Sequence, residues 1–478
     1  MRELNIIDFS HIYSIHFVGI KGIAMAAFAV WAKERGIAVT GSDVSEVFPS
    51  DPVLVKAGIV VQSGFDPAHI VSSDKPDLVV FTGAHDGRDN IEVRTAIAKG
   101  IPVLPHGKAL GLAMSEKRQI SVAGSHGKTT TTAMIATVLM YAGLDPSYAV
   151  GCGEIPGLGL PGHFGSGDFF VAEADEYVTD PTHDRTPRFL WQHPEILVVT
   201  NIDYDHPDVY ASLSLVQEAF VSLKKQQVGL SHAVINADDV LSEPLLSRTK
   251  KRNEVTYGMS AESEYGITDL MFFPEKTTFK LQHGKDVLCE FVLKVPGKHN
   301  VYDATAAAIA SSMAGVPWDK IAIGLSLFGG AKRRFENIGV VRGVTFYDDY
   351  AHHPKEIQAT LEAARVWYPK RRIISVFQPH TYSRTKKLLH DFGQSFINAD
   401  IAVSTDIYSS AREHDTLGIT GLTLVEEVKK NHDHAVYMRG SSEVTSFLRS
   451  TCKEGDIVLF MGAGDIYTWE KTIIKELH

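Results

Sequence analysis

The chain has 478 residues, with 57 acidic against 47 basic side chains and a formal net charge of −10. At about 150 residues per domain, this length predicts roughly three domains rather than one core. Apolar residues at 44%, charged residues at 22% and 39 glycines exclude a disordered, collagen-like or disulfide-scaffold protein, and the acidic balance argues against nucleic acid or an anionic membrane as the main partner. Cys152, Cys289 and Cys452 are far apart and lack metal-ligand spacing, so they read as reduced thiols of a cytoplasmic chain. The apolar stretch Gly22 to Ala32 is too short to span a bilayer, and residues 1–10 lack the basic start and apolar run of a signal peptide.

The first strand reads as Tyr13 to Val18, followed by a glycine turn and a helical pattern through Ala32. The turn Gly19-Ile20-Lys21-Gly22-Ile23-Ala24 approximates a dinucleotide fingerprint, with Asp43 about twenty residues later where a ribose-binding acid sits. Lys21 and Ala24 occupy two of its glycine positions, so a tight turn or a loop for another nucleotide fits better than NAD. A second strand, Ile37 to Thr40, ends in Gly41-Ser42-Asp43, and a third, Leu78 to Phe81, ends in Thr82-Gly83. Strands alternating with helices predict a parallel sheet with ligands at the carboxyl ends of its strands.

A second unit begins near residue 118. There Gln119 to Ala123 runs as a strand into Gly124-Ser125-His126-Gly127-Lys128-Thr129 and a helical pattern to Tyr141. Glycines let backbone amides close on phosphate oxygens, a lysine supplies charge to the terminal phosphates, and a hydroxyl can hold magnesium. Val122 stands where the usual phosphate loop has its first glycine. Further strands end at Ala172 and Thr200, followed by Glu173-Ala174-Asp175-Glu176 and by Asn201-Ile202-Asp203-Tyr204-Asp205-His206. Either cluster alone reads as a solvated strand end; both beside a phosphate loop point to Mg²⁺, with the histidine the less usual ligand. A β-rich stretch spans about 251 to 295, and Pro296-Gly297 separates it from an alanine-rich helix, His299 to Ala314.

The third unit starts near residue 336, with a strand Val344 to Tyr347 leading to Asp348-Asp349-Tyr350 and a helix Pro354 to Val366. Strands Ile373 to Phe377, Ile401 to Ser404 and Ile457 to Phe460 follow. Lys332-Arg333-Arg334-Phe335 marks the joint, where arginines either clamp a transferring phosphoryl group or form a solvated basic turn. Two strand ends, Asp349 to Pro354 and Phe377 to Arg384, place imidazole, hydroxyl and guanidinium groups near one cleft. Arg384 is the natural fork for a carboxylate; the adjacent histidines His352 and His353, taken alone, read as turn residues. No internal repeat or low-complexity linker is present.

In this order, Gly-Ser-His-Gly-Lys-Thr-Thr, Glu-Ala-Asp-Glu, Asn-Ile-Asp-Tyr-Asp-His, His299-Asn300, Arg-Arg-Phe-Glu and Asp-Asp-Tyr-Ala-His-His-Pro resemble the Mur ligase family over essentially the whole chain. The resemblance implies three α/β domains: residues 1–117, Rossmann-like, for a UDP substrate; 118–335, a phosphate-loop ATPase-type parallel sheet; and 336–478, Rossmann-like, for an amino acid. It implies phosphorylation of the lactyl carboxylate of UDP-N-acetylmuramate by ATP, then attack by the amine of L-alanine to form an amide. By the family pattern Gly124, Ser125, His126, Gly127, Lys128, Thr129 and Thr130 hold ATP. His299, Asn300 and Asp303 match the adenine side, and Arg334 and Asp349 meet ATP from the joint and the third domain. Thr129, Glu173 and His206 match the Mg²⁺ ligands. The UDP part falls to Gly19, Ile20, Lys21, Gly22, Ile23, Ala24, Ser42, Asp43, Thr82 and Gly83, and the amino acid to Tyr350, His352 and Arg384. Lys128, Glu173, His206, Arg334 and His352 are the catalytic candidates. ATP and Mg²⁺ are the expected cofactors; no nucleic acid or membrane is an expected partner, and the chain is expected to be a monomer or homodimer.

The sequence departs from the family pattern at Lys21 and Ala24, at Asp303 in place of a second asparagine, and at Thr381 in place of an arginine. A lysine that some relatives carbamylate is missing from Ala219 to Ser222, so no such modification is expected. Glu176-Tyr177 and Asp184 to Phe189 are more similar to ligases that add the tripeptide L-alanyl-γ-D-glutamyl-meso-diaminopimelate, whereas Phe377 to His380 and Arg384 are more similar to those that add L-alanine. The third domain selects the amino acid, so L-alanine is the expected acceptor and the tripeptide the alternative. A phosphate-loop ATPase switch that only binds a nucleotide sugar is the alternative from another class.

Overall fold

Three large sheets and a two-stranded ribbon, Val178–Asp180 with Asp184–Pro187, organise the described part of the chain in the computed structural model, which describes residues 7–71, 75–206, 208–227, 230–248, 253–409, 413 and 415–477. Residues 1–6 of the segment tested for a signal peptide, and residues 251 and 252 at the start of the expected β-rich stretch, lie outside the described residues. Among the described residues no helix is long and apolar enough to cross a membrane, and no disulfide joins the cysteines.

The N-terminal sheet is wholly parallel, in the order Val61–Ser63, Ala38–Asp43, Ser14–Val18, Leu78–Phe81, Val103–Pro105. The second strand does not stop at Thr40 as the sequence suggested. Gly41, Ser42 and Asp43 favour turns in isolation, but Phe17 and Val18 pair with Gly41 and Ser42 on one side and Val61 to Ser63 pair on the other, which holds them extended. The helix Ile23–Glu34 is buried at every position from Met25 to Ala32. A helix apolar all round must be enclosed on two sides. One side packs on its own sheet, where Phe28 meets Phe17 edge to face at 5.9 Å. The other meets the central sheet, where Trp31 lies 5.6 Å from Phe170 and a Cβ on Gly162 would stand 2.0 Å from the Ala27 carbonyl.

Among the described residues the central sheet has ten strands, and its phosphate-loop strand, Arg118–Ala123, runs parallel between Phe169–Ala174 and Ile196–Val199. Ala123 is level with Ala174 on one side and Val199 on the other, so the segments leaving all three strands emerge at one edge. Glu173, expected just beyond its strand, is within it and opposite Val122. The C-terminal sheet runs Glu336–Val341, Val344–Asp349, Ile457–Met461, Ile373–Phe377, Ile401–Ser404, Ala435–Tyr437, parallel except for its first pair. Helix Pro354–Trp367 covers one face through Ile357 and Leu361, and Leu448 and Ile473 cover the other.

The chain forms two compact units. One comprises Met1–Leu270, Phe279–Val292 and Tyr302–Gly329, and so takes in the N-terminal sheet; the other comprises Met271–Thr278, Leu293–Val301 and Gly330–His478.

Candidate functional site

The first unit carries the phosphate loop. Gly124 and Gly127 have φ of +142° and +82°, and each is closely packed: a Cβ on Gly124 would lie 2.0 Å from Thr200 Oγ1, and one on Gly127 2.3 Å from Asp303 Oδ1. Glycine is required at both places by conformation and by space. Asp303, the departure from the adenine-side pattern, therefore packs its carboxylate against the loop. The segment after the neighbouring strand clasps the loop from the side. Asn201 exchanges hydrogen bonds with the backbone of His126, Ser125 N–H donates to the Asn201 carbonyl, and Asp203 N–H donates to Ser125 Oγ. The amides of Ser125 and His126 are thus engaged within the protein. Lys128, Thr129 and Thr130 begin the helix Lys128–Tyr141, and their N–H groups have no intrahelical acceptor, which leaves that end for an anion.

Lys128 donates through Nζ to the Gly124 carbonyl and, at 2.9 Å, to Glu176 Oε2. Burial opposes its charge, but Glu176, Asp175 and Glu173 outweigh that and push its pKa up. Glu173 accepts from Thr129 Oγ1 at 3.0 Å and from Gly151 N–H at 2.5 Å, so two of the expected metal ligands meet. His206, the third, stands with Glu176 and Asp175: its Nε2 is 3.7 Å from Glu176 Oε1, and one donor atom from each of these three residues lies within 4.8 Å of the others. Burial raises the Asp175 carboxyl, and Arg188, Lys128 and His206 pull it back below the usual range. Glu176 belongs to the acidic cluster that in the sequence pointed to Mg²⁺, but it was not among the ligands the family pattern named. Its burial and its contact with Lys128 appear only when the two strand ends come level.

At the N-terminal turn, Gly19 has φ +79°, and a Cβ there would come 2.3 Å from Thr82 Cγ2, so Gly19 and Thr82, both assigned by the family pattern to the UDP part, are in contact. Gly19 and Ile20 N–H donate to the Ser42 carbonyl, and Lys21 N–H donates to the buried carboxylate of Asp43 at 2.7 Å. Three amides of the turn assigned to the UDP part are therefore held by the second strand. Those of Ile23, Ala24 and Met25 at the helix start remain. The Lys21 ammonium turns onto the Val44 and Glu46 carbonyls at 3.0 and 2.7 Å, with Asp51 3.5 Å away, and neutralises that segment. Gly83 packs against Thr179 and Asp180 of the central part, where a Cβ would meet Thr179 O at 2.7 Å. Burial lifts the Asp43 carboxyl above its ordinary value despite these donors and His85.

The second unit distinguishes the two joint arginines. Arg333, at φ +62°, is buried, donates to Asp348 at 3.0 Å and to the Gly462 carbonyl at 2.7 Å, and so is structural. Arg334 sets its guanidinium 5.4 Å from the Tyr350 ring. Asp349 accepts the N–H groups of Phe335 and Ala351 at 2.8 Å each and fixes both turns; burial pushes its pKa up to about 6 against the pull of Arg334. His352 Nδ1 lies 2.9 Å from the Tyr350 carbonyl, its ring 5.2 Å from the Tyr350 ring and 6.2 Å from His380, whose Nδ1 is 3.5 Å from Arg384 Nη1. The tyrosine, histidine and arginine expected at the amino-acid end thus share one cluster. In the same unit Asn300 donates to the Pro296 carbonyl at 2.6 Å and lies 3.2 Å from His299 Nε2.

Three family models match the chain: "Mur ligase family, catalytic domain" over residues 14–118, "Mur ligase middle domain" over 122–311 and "Mur ligase, glutamate ligase domain" over 333–464. The UDP-N-acetylmuramate–L-alanine ligase of Desulfitobacterium hafniense is 41% identical over 461 residues, covering 96% of this chain and 99% of the relative. That of Caldanaerobacter subterraneus is 39% identical over 474 residues, covering 98% and 99%. Among solved structures, UDP-N-acetylmuramate–alanine ligase from Thermotoga maritima superposes with a TM-score of 0.80 at 27% identity over 97% of this chain and 98% of the other. A murein peptide ligase from Psychrobacter arcticus gives 0.72 at 24% identity over 97% and 98%, a likeness of fold.

Proposed function

The chain belongs to the Mur ligase family, and on that premise we infer that it is an ATP-dependent ligase that joins L-alanine to UDP-N-acetylmuramate. The observation that carries this reading is similarity over nearly the full length to relatives that bear that name. It operates in three parts, residues 1–117 for the UDP substrate, 118–335 for ATP and 336–478 for the amino acid, and in the cytoplasm, where ATP and a UDP-sugar are at hand.

The reaction transfers the terminal phosphoryl group of ATP to the lactyl carboxylate, and the alanine amine then displaces phosphate from the acyl phosphate to form the amide. Lys128 and the amides that begin its helix hold the phosphates where negative charge is transferred. Glu176 keeps the lysine charged and oriented. The residues fit a divalent cation: Glu176 Oε1 is buried and accepts no hydrogen bond among the described residues, and it faces His206 and Asp175. Mg²⁺ there would draw on Glu176, Asp175 and His206, with Thr129 and Glu173 the ligands that the family pattern adds, and would supply charge neutralisation.

In the third part Arg384 receives the carboxylate of L-alanine as a two-pronged donor. His352, with Nδ1–H directed to the Tyr350 carbonyl, keeps Nε2 as its basic nitrogen and takes the proton that the amine must lose. Arg334 matches the arginine that the family pattern assigns to the phosphates, and Asp349 holds the turns on both sides of it.

Incubation with ATP, Mg²⁺ and UDP-N-acetylmuramate, with L-alanine and the tripeptide in separate reactions, tests the reading by mass spectrometry of the UDP product. A mass gain with L-alanine is expected. A gain with the tripeptide alone would replace it, and phosphate release with neither product would make the chain an ATPase.

A further inference from the structure

Glu92 is fully buried in the N-terminal sheet region and belongs to none of the chemistry above. Its carboxylate collects four donors from three separate segments of the chain. Ser42 Oγ and His16 Nε2, at 3.3 Å, reach Oε2; His69 Nδ1, at 2.6 Å, and Asp66 N–H, at 3.0 Å, reach Oε1. His16 is itself buried, and its Nδ1 lies 2.9 Å from Thr40 Oγ1, so the ring bridges the threonine and the carboxylate. A buried carboxylate with four donors is fully satisfied, and its pKa lies below the ordinary value because His16, Ser42 and the Asp66 amide outweigh the cost of burial. Removing it strands several buried polar groups at once.

The position of this hub gives it a role beyond stability. Ser42 is the residue whose carbonyl receives Gly19 and Ile20 N–H, and the next residue, Asp43, receives Lys21 N–H. The segment that carries Asp66 is tied to the same place, since Gly64 N–H donates to the Asp43 carbonyl and the Phe65 ring lies 5.3 Å from His85, which stands 3.4 Å from Asp43. Glu92 therefore sets the end of one strand and the loop beside it, and through them the glycine turn. We propose that Glu92 is a positioning residue for the UDP-sugar substrate, acting through Ser42 and the Asp66 loop on the Gly19 to Ala24 turn. This rests on the reading of that turn as the UDP-substrate site.

The test is initial-rate kinetics for all three substrates on Glu92→Ala, Glu92→Gln, Ser42→Ala and the Glu92→Ala/Ser42→Ala double variant. Glu92→Ala is expected to raise KM for UDP-N-acetylmuramate at least about tenfold while KM for ATP and L-alanine stays within about twofold and kcat within about threefold. Glu92→Gln is expected to restore KM to within about threefold of the parent, because an amide keeps one acceptor for His69 and Asp66, and Ser42 and His16 can both accept from its nitrogen. The double variant should fall short of the product of the two single effects, the mark of residues acting through one another. If Glu92→Ala does not fold, Glu92→Asp takes its place: it keeps the charge but is one methylene short of the four donors, and the same substrate-selective rise is expected. An unchanged KM in a folded variant, an equal rise for all three substrates, or full additivity would each overturn the proposal. Asp43→Asn separates the two levels. If it leaves KM for the UDP substrate unchanged, the assignment of the turn fails; if it raises that KM while the Glu92 variants do not, only the role of Glu92 fails.

Discussion

Asn201 holds His126 by both polar groups of its backbone: the His126 N–H donates to Asn201 Oδ1 and Asn201 Nδ2 donates to the His126 carbonyl, each at 2.9 Å. The phosphate loop is therefore shaped before any nucleotide arrives, by a side chain on the neighbouring strand end. Asn201→Asp keeps the acceptor and sets a carboxylate against a carbonyl. The lost hydrogen bond and the two acceptors left facing each other, together about 1–3 kcal/mol, predict a rise in the ATP KM of roughly tenfold, with KM for the UDP substrate unchanged in initial-rate kinetics. An equal rise for both substrates would show general loosening instead.

Lys128→Ala removes the charge at the helix start and leaves Glu176 buried beside empty space. We expect kcat/KM to fall at least about 100-fold, the scale for losing one pre-organised donor to developing negative charge. Binding of UDP-N-acetylmuramate, measured by calorimetry, should be unaffected, since its proposed site is formed by other residues. Full activity would show that the loop does not hold ATP.

Arg384→Ala should raise the L-alanine KM by roughly 10- to 100-fold, as expected for loss of charge-assisted hydrogen bonds worth about 1.5–3 kcal/mol, and should leave the ATP KM close to the parent value. Steady-state kinetics with each substrate varied in turn decides this. Equal effects on both would assign the arginine a structural role.

Asp348 and Glu470 are buried carboxyls, and burial together with Asp348 favours a proton on Glu470, while Arg333 donates to Asp348. Burial and the neighbouring Asp348 push Glu470 from 4.5 up to about 11. Between those values the folded chain keeps a proton that the unfolded chain has lost, so this group makes stability fall as pH rises, by at most about 1.4 kcal/mol per pH unit. Glu470→Gln supplies the donor without the titration. Its unfolding midpoint should therefore decline less than the parent's between pH 6 and 9 (a window of about three units at that slope). Parallel curves in thermal unfolding would refute the proton on Glu470.

Much of this was legible in the sequence where local pattern and local structure agree. The strand ending at Ala123 and the helix from Lys128 to Tyr141 stand where periodicity and the glycines put them, because a phosphate loop needs both signals together. Two kinds of information were missing. Arg333 and Arg334 are the same residue type side by side, and which one turns inward depends on a backbone twist at Arg333 that no pattern of residues announces. Glu176 and Asn201 acquire their partners from strands adjacent in the sheet but distant in the chain, so only strand order reveals them. The end of the second strand was misread because Gly-Ser-Asp favours turns until neighbours on both sides hold it straight.

The packing of the helix Ile23–Glu34 onto the edge of the central sheet bears on how hybrid enzymes could be built from relatives. Residue 118 looks like a natural seam, yet a graft cut there would place a foreign helix against Gly162, whose backbone leaves no room beside Ala27, and against Phe170. Donor and acceptor would have to be matched at Ala27, Trp31, Gly162 and Phe170 as a set. Recombination between such sequences is thus constrained at residues far from any substrate.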